Sequence, residues 1–104
     1  MSEVDELNKE RENLNNLIRL RNLVLKLEEN PEFKEVILEG FCLKDCANYL
    51  RNSTNTCLSD KARENSLEMA RASGHLLNYL EVIKIQGDNA ENQLIRLETA
   101  YDEE

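Results

Sequence analysis

Long stretches without helix-breaking residues constrain this chain more than any other feature. Residues 3–29 contain neither glycine nor proline, and no proline interrupts the sequence from residue 59 to about residue 102. Apolar residues in the first stretch recur at spacings of three, four and seven, as on one face of a helix: Val4, Leu7, Leu14, Ile18 and Leu25. The pattern therefore predicts one helix over about residues 3–29 and another over about residues 59–102.

The second stretch carries a heptad repeat. Its a/d seam consists of two series of residues seven apart, offset by three: Ser73, Leu80, Gly87, Leu94 and Tyr101, and Met69, Leu76, Ile83, Ala90 and Leu97. Such a seam predicts lengthwise packing against another helix. Because Gly87 lies on the seam, we expect it to mark a close approach of two helices. The alternative is that the helix stops there and a separate final helix begins at Asp88.

The widths of the apolar faces indicate how the long helices pair. Residues 17–27 and 76–85 are apolar around most of the helix, whereas the outer parts of both helices carry narrow stripes. In an antiparallel arrangement the broad apolar face of one helix packs against the broad face of the other, and the two narrow stripes pack against each other. We therefore predict a single all-α domain over residues 1–104. Its fold would be a long antiparallel helical hairpin, or coiled coil, with a short helix-turn-helix insert between the long helices.

The insert is predicted from residues 30–50, NPEFKEVILEGFCLKDCANYL, which hold the only proline of the chain. Asn30 is a good N-cap residue, and Pro31 suits the first position of a helix. Gly40 fits a left-handed position after that helix. The segment thus predicts short helices over about residues 31–39 and 43–51, followed by a polar loop and a Ser59 cap. The predicted inward residues are Phe33, Val36, Ile37, Leu43, Cys46, Ala47 and Leu50.

The broad apolar stretches exceed what one antiparallel partner can cover. We therefore expect a homo-oligomer or docking onto a larger assembly, since exposed apolar patches mark interaction surfaces. The candidate interface residues are Leu17, Leu20, Leu23, Phe33, Phe41, Leu77, Val82 and Ile85.

Composition narrows the class of partner. The formal net charge is −8, and the lysines are scattered among acids, so we expect no direct binding to nucleic acid or to a membrane surface. The N-terminal sequence is acidic and polar, unlike a signal peptide. Three cysteines without a secretory signal favour reduced, intracellular thiols.

No catalytic motif is present, and we expect neither an enzyme, nor a cofactor, nor a small-molecule substrate. The alternative to weigh is a zinc site, because Cys42, Cys46, Cys57 and His75 could supply a Cys3His ligand set. Against it, Cys46 falls on an apolar helical face, where a free cysteine behaves as a small hydrophobic residue. Packing is therefore the favoured role of the cysteines, and a regulatory disulfide is the remaining alternative.

The stretch NPEFKEVILEGFCLKDCANYL, followed by a polar loop and by LLNYLEVIKIQGDNAENQLIRLETAYDEE, resembles small helical virion proteins of tailed bacteriophages. The shared pattern is an Asn-Pro-acidic-Phe opening, a Gly-aromatic pair, and a long helix with a late glycine and an acidic end. It covers roughly residues 20–104. Where such proteins usually carry acidic residues and alanine, this chain has Cys42 and Cys46.

The resemblance implies a structural or assembly component of a phage particle near the portal, the head–tail junction or the ejection apparatus. Such a protein would be made in the host cytoplasm, would reside in the virion, and would pack with itself and with larger virion proteins. The alternative function is a small cytoplasmic helical adaptor or regulator that binds one protein partner.

Overall fold

The chain folds entirely into helices and connecting segments over the residues that can be described. The structure, a computed structural model, describes residues 2–102 and the side chains of residues 2–100. Its elements are α1 (Glu3–Glu29), α2 (Pro31–Phe33), a π-helical segment (Lys34–Asp45), α3 (Cys46–Ser53) and α4 (Asp60–Asp102). No strand occurs within residues 2–102. The predicted all-α fold is confirmed.

Local sequence signals set where the helices begin. The side chain of Asn30 accepts a hydrogen bond of 2.9 Å from the backbone N–H of Phe33, and Pro31 occupies the first turn. The Ser59 hydroxyl accepts one of 3.1 Å from the backbone N–H of Ala62. Both side chains satisfy donors that have no partner within a helix, so both predicted caps are confirmed.

The last helix continues through Gly87. Because α4 runs without interruption from Asp60 to Asp102, the alternative of a stop at Gly87 is excluded. Gly87 is buried, and a Cβ atom at this position would lie only 2.2 Å from the Cβ atom of Arg21. The glycine thus permits the close approach of α1 and α4 that the seam predicts.

The contacts of the chain form two compact units where the sequence predicts one domain over residues 1–104. The terminal unit comprises Met1–Lys26 and Glu81–Glu104, and the central unit comprises Leu27–Leu80. In the terminal unit, α1 and α4 run antiparallel. Arg21 bonds to Asp88, whereas Glu10, nearer the start of α1, lies beside Ala100, nearer the end of α4. The predicted hairpin pairing is therefore confirmed.

On α4 the core of the terminal unit follows the predicted seam, but on α1 the predicted face is wrong at two positions. Val4 and Leu25 are 62% and 46% exposed, and Val24 is buried in place of Leu25. Leu14 and Val24 of α1 and Ala90 of α4 are buried, as is Gly87. Half-buried side chains extend this core: Leu17, Ile18, Ile83, Leu94 and Leu97. Fully burying an aliphatic side chain contributes about 1.5–3 kcal/mol, so the buried and half-buried seam residues hold the two helices together. The side chain of Tyr101, the last predicted seam residue, lies outside the described residues.

The π-helical segment Lys34–Asp45 dominates the central unit. Hydrogen bonds from residue i+5 to residue i give such a helix more than four residues per turn. Half-buried side chains in and just after this segment recur every four or five residues: Ile37 and Leu38, then Phe41 and Cys42, then Cys46. The wider turn therefore keeps these side chains on one face of the helix. With the 3.6 residues per turn of an α-helix, side chains at this spacing would move progressively off that face.

The predicted turn at Gly40 is wrong. Gly40 lies within the π-helical segment and has no positive φ, so the chain stays helical from Pro31 to Ser53. The change of helical period also shifts which residues face inward. Val36, Leu43 and Leu50 were predicted to face inward but are 63%, 64% and 50% exposed. Phe33, Ile37, Cys46 and Ala47 are half-buried, as predicted.

The buried residues of the central unit all lie on α4, and they are Ala70, Ser73 and Leu80. Ala70 and Ser73 are 7% and 1% exposed. The Ser73 hydroxyl donates to the carbonyl oxygen of Ala70 at 2.8 Å, so its burial leaves no unsatisfied donor. Met69, which the seam predicts to face inward, is 40% exposed, because at this point the buried face has rotated by one residue to Ala70.

Candidate interaction surface

Most of the predicted interface residues have exposed side chains. The exposed fractions are 40% for Leu20, 50% for Leu23, 41% for Leu77, 39% for Val82 and 51% for Ile85. The other three, Leu17, Phe33 and Phe41, are half-buried. The exposed members are the ones that a further protein could cover.

Arg21 occupies a seam position of α1, seven residues after Leu14. Its side chain is only 12% exposed because it lies over Gly87, and its guanidinium emerges beside two acids. It donates to Asp88 at 3.0 Å and to Glu91 at 2.5 Å. These hydrogen bonds, that to Glu91 first, raise the pKa of Arg21. The arginine thus fills the space that the glycine leaves and remains positively charged.

An uncharged stripe runs along each helix of the terminal unit. The stripes lie on the opposite side of the helix pair from the ion pairs that Arg21 makes with Asp88 and Glu91. On α1 the stripe consists of Asn13, Asn16, Leu20 and Leu23, and on α4 of Val82, Gln86, Asn89 and Gln93. All eight side chains are exposed. Spacings of three and four residues place each set on one side of its helix.

The two stripes adjoin. With Leu14 and Arg21 at a positions of α1, and Leu80 and Gly87 at a positions of α4, the stripes occupy the c and g positions of both helices. The g positions of an antiparallel pair face each other on the same side. Glu10 lies beside Gln93, which agrees with this placement. By contrast, Asp88 and Glu91 occupy b and e positions on the other side. We call the two stripes together the uncharged face of the terminal unit.

Sequence reasoning identified Leu20, Leu23 and Val82 but missed the amide side chains between them. The signal was present, because residues 13–27 contain no aspartate or glutamate in a chain with 21 acids. The only charged residues in this stretch are Arg19, Arg21 and Lys26, and none of them belongs to the stripe on α1. Hydrophobic periodicity alone does not detect asparagine and glutamine.

The four candidate zinc ligands do not form a site. No three side chains among histidine, cysteine, aspartate and glutamate come together in metal-binding geometry within the part of the chain that the structure describes. Cys42, Cys46 and Cys57 are free thiols, and Cys57 and His75 are exposed. The Cys3His arrangement considered for these residues is therefore not present.

Cys42 has the most constrained thiol environment. Its Sγ atom lies 4.0 Å from the backbone oxygen of Ser73, to which the thiol donates. Burial raises the pKa of Cys42, and the neighbouring Cys46 raises it further. A raised pKa disfavours the reactive thiolate, so this environment suits packing better than nucleophilic chemistry.

A shallow depression of about 390 Å³ lies on the terminal unit. It is lined by Glu10, Gln93, Arg96, Leu97 and Ala100. It is wide open to solvent, whereas small-molecule sites enclose most of the surface of their ligand. The depression continues the groove between α1 and α4 next to Gln93, and so it borders the uncharged face.

Within residues 2–102, none of the helices is long and apolar enough to cross a membrane. Comparison with protein-family models, with curated proteins and with solved structures finds no match to this chain.

Proposed function

We propose that this chain is a non-enzymatic assembly protein of a tailed-phage particle. It acts by packing helices against further copies of itself and against larger virion proteins of the portal, head–tail or ejection region. The observation that carries the proposal is the exposure of Leu20, Leu23, Val82 and Ile85, at 39–51%, on a helix pair whose core lies elsewhere. Exposed aliphatic side chains in such numbers favour a protein partner.

Two further features support a particle protein. The residue pattern from Asn30 to the acidic C-terminal end resembles that of small phage virion proteins. The net charge of −8 would keep such a protein from adhering to packaged DNA, because nonspecific binding to DNA depends on neutralising phosphates with lysine and arginine.

Quantitative mass spectrometry of purified particles tests the proposal. The particles come from a phage that encodes this chain, and we expect the chain in fixed stoichiometry to the major capsid protein. The control is a lysate of uninfected cells that express the chain alone, taken through the same purification. Absence of the chain from particles, or its equal recovery from the control, would overturn the proposal.

A second candidate function is a small cytoplasmic adaptor that binds one protein partner. Val36 and Leu43 favour it, because these exposed side chains of the central unit belong to no heptad stripe, and an irregular partner surface could cover them. Cross-linking in infected cells distinguishes the two functions. A single partner at one-to-one stoichiometry, with no chain in particles, would favour the adaptor.

A further inference from the structure

The uncharged face is unusual for this chain. A third of the residues are charged and the net charge is −8, yet eight exposed positions over two adjoining stripes carry only amide and aliphatic side chains. Asp88 and Glu91 lie on the other side of the helix pair and are bound by Arg21, and Glu10 lies at the end of the face, beside Gln93. The helix pair thus separates an ionic side from a neutral side.

Charge indicates which partner suits this face. Two copies of a chain with net charge −8 repel each other, and they come together most easily where no acids oppose each other. A basic partner would instead be drawn to the acidic surfaces. The uncharged face therefore favours an occupant that is itself neutral over this area, and a second copy of the chain presents such a surface.

The side chains also suit association with a like surface. Leu20 and Val82 provide aliphatic contact, while Asn13, Asn89 and Gln86 carry both donors and acceptors. In a twofold arrangement the same patch of each copy forms the interface, so a contact from residue i to residue j occurs twice. Amide side chains of one copy can therefore donate to and accept from those of the other. Asparagine in helix–helix seams is known to fix register and the number of strands.

We propose that the uncharged face is a dimer interface at which the helix pairs of two copies form a four-helix bundle. The proposal deepens the self-packing part of the proposed function and rests on it. The two stripes span about 16–18 Å along helices that together are about 20 Å wide, a smaller footprint than the roughly 800 Å² per partner of a standard interface. We therefore expect a dimer with a dissociation constant in the micromolar range.

Sedimentation equilibrium of the full chain, from low to high micromolar concentration, tests the proposal. We expect a monomer–dimer equilibrium in the native chain. The double variant Gln86→Glu with Asn89→Asp adds two charges to the face with almost no change in shape. It should weaken dimerisation at least about tenfold, because it opposes like charges across the interface.

A matched control separates the face from overall repulsion. Asn8→Asp with Asn15→Asp adds the same two charges at exposed positions on the other side of α1, and its dimerisation should change by less than about threefold. Far-ultraviolet circular dichroism verifies that both variants stay helical. If the face variant were to lose helix, a second pair of variants would be used. Val82→Glu would then be the face variant, and Ile95→Glu would be its control.

Three results would overturn the proposal. One is a native chain that is monomeric at every concentration. Another is equal weakening by the face variant and its control. The third is a face variant that dimerises as the native chain does but is lost from particles, which would assign the face to a different virion protein. A dimer in solution that is absent from particles would instead refute the proposed function and leave the interface intact.

Discussion

At the scale of single residues, two glycines of α4 have opposite roles. Gly87 is buried against Arg21, whereas a Cβ atom at Gly74 would meet no atom within 4 Å. Glycine costs about 0.5–1 kcal/mol relative to alanine within a helix. At Gly87 the close approach of Arg21 explains why a helix carries this cost. Nothing in the structure explains the glycine at position 74.

Replacing each glycine by alanine separates these roles. Gly87→Ala should lower the free energy of unfolding by about 1–3 kcal/mol, because the new methyl group overlaps the Arg21 side chain. Gly74→Ala, the matched control, should raise it by about 0.5–1 kcal/mol. Urea unfolding followed by circular dichroism measures both. Equal effects would show that helix propensity, and not close approach, governs Gly87.

The Cys42 thiol makes stability depend on pH in the alkaline range. Its pKa is raised in the folded chain by burial, with a further contribution from Cys46. Below the ordinary thiol value of 9.0 both folded and unfolded states hold the proton, so the contribution is fully present. Above it the unfolded state loses its proton first, and stability falls as pH rises through the raised value.

We therefore expect the urea midpoint of the native chain to fall more steeply above pH 9.0 than that of Cys42→Ala. Comparison of the two chains cancels the titration of the other groups. Thiol labelling should also proceed more slowly at Cys42 than at exposed Cys57. Parallel pH profiles of the two chains would contradict the assignment.

At the scale of elements, the sequence predicted helix starts and long helices well and the middle segment poorly. Asn30 and Ser59 act locally, through side-chain oxygens that meet nearby backbone donors, so residue identity is sufficient to predict them. The π-helical segment was missed because periodicity analysis assumes 3.6 residues per turn. The spacing of Ile37, Cys42 and Cys46 fits a wider turn, which brings the Cys42 thiol to the backbone oxygen of Ser73 on α4.

The cap at Asn30 provides a test at this scale. Asn30→Ala removes the hydrogen bond to the Phe33 N–H and should lower the free energy of unfolding by about 1 kcal/mol. Asn48→Ala, at an exposed interior position of α3, should be neutral or slightly stabilising, because alanine is the better helix former. Urea denaturation of both variants measures the difference. Equal free energies of unfolding for the two variants would show that the Asn30 cap does not stabilise α2.

At the scale of the whole molecule, charge opposes the association that the apolar surface favours. Much of the candidate surface was predictable, because Leu20, Leu23, Val82 and Ile85 lie within stretches too broadly apolar for one partner. The exposure of Val36 and Leu43 was not, since it depends on the phase of the π-helical segment. Neither was the amide content of the uncharged face, which hydrophobicity patterns ignore.

Salt should therefore strengthen self-association. Raising the ionic strength from about 0.01 M to about 0.15 M shortens the screening length from about 30 Å to about 8 Å and reduces repulsion between the two acidic copies. We expect the dimer dissociation constant to fall over this range. Analytical ultracentrifugation in sodium chloride measures it, with sucrose at matched density as the control. A constant that rises with salt would indicate an interface held by ion pairs.

The fit of Arg21 over Gly87 also determines which alignments of the hairpin are permitted. Sliding α1 along α4 by one heptad would set the arginine against Leu94 in place of the glycine. There a bulky side chain would obstruct its stem, and Asp88 and Glu91 would be out of reach. A repeating seam by itself tolerates such shifts of register. The match of Arg21 to Gly87, which has no side chain, permits only one register of α1 along α4.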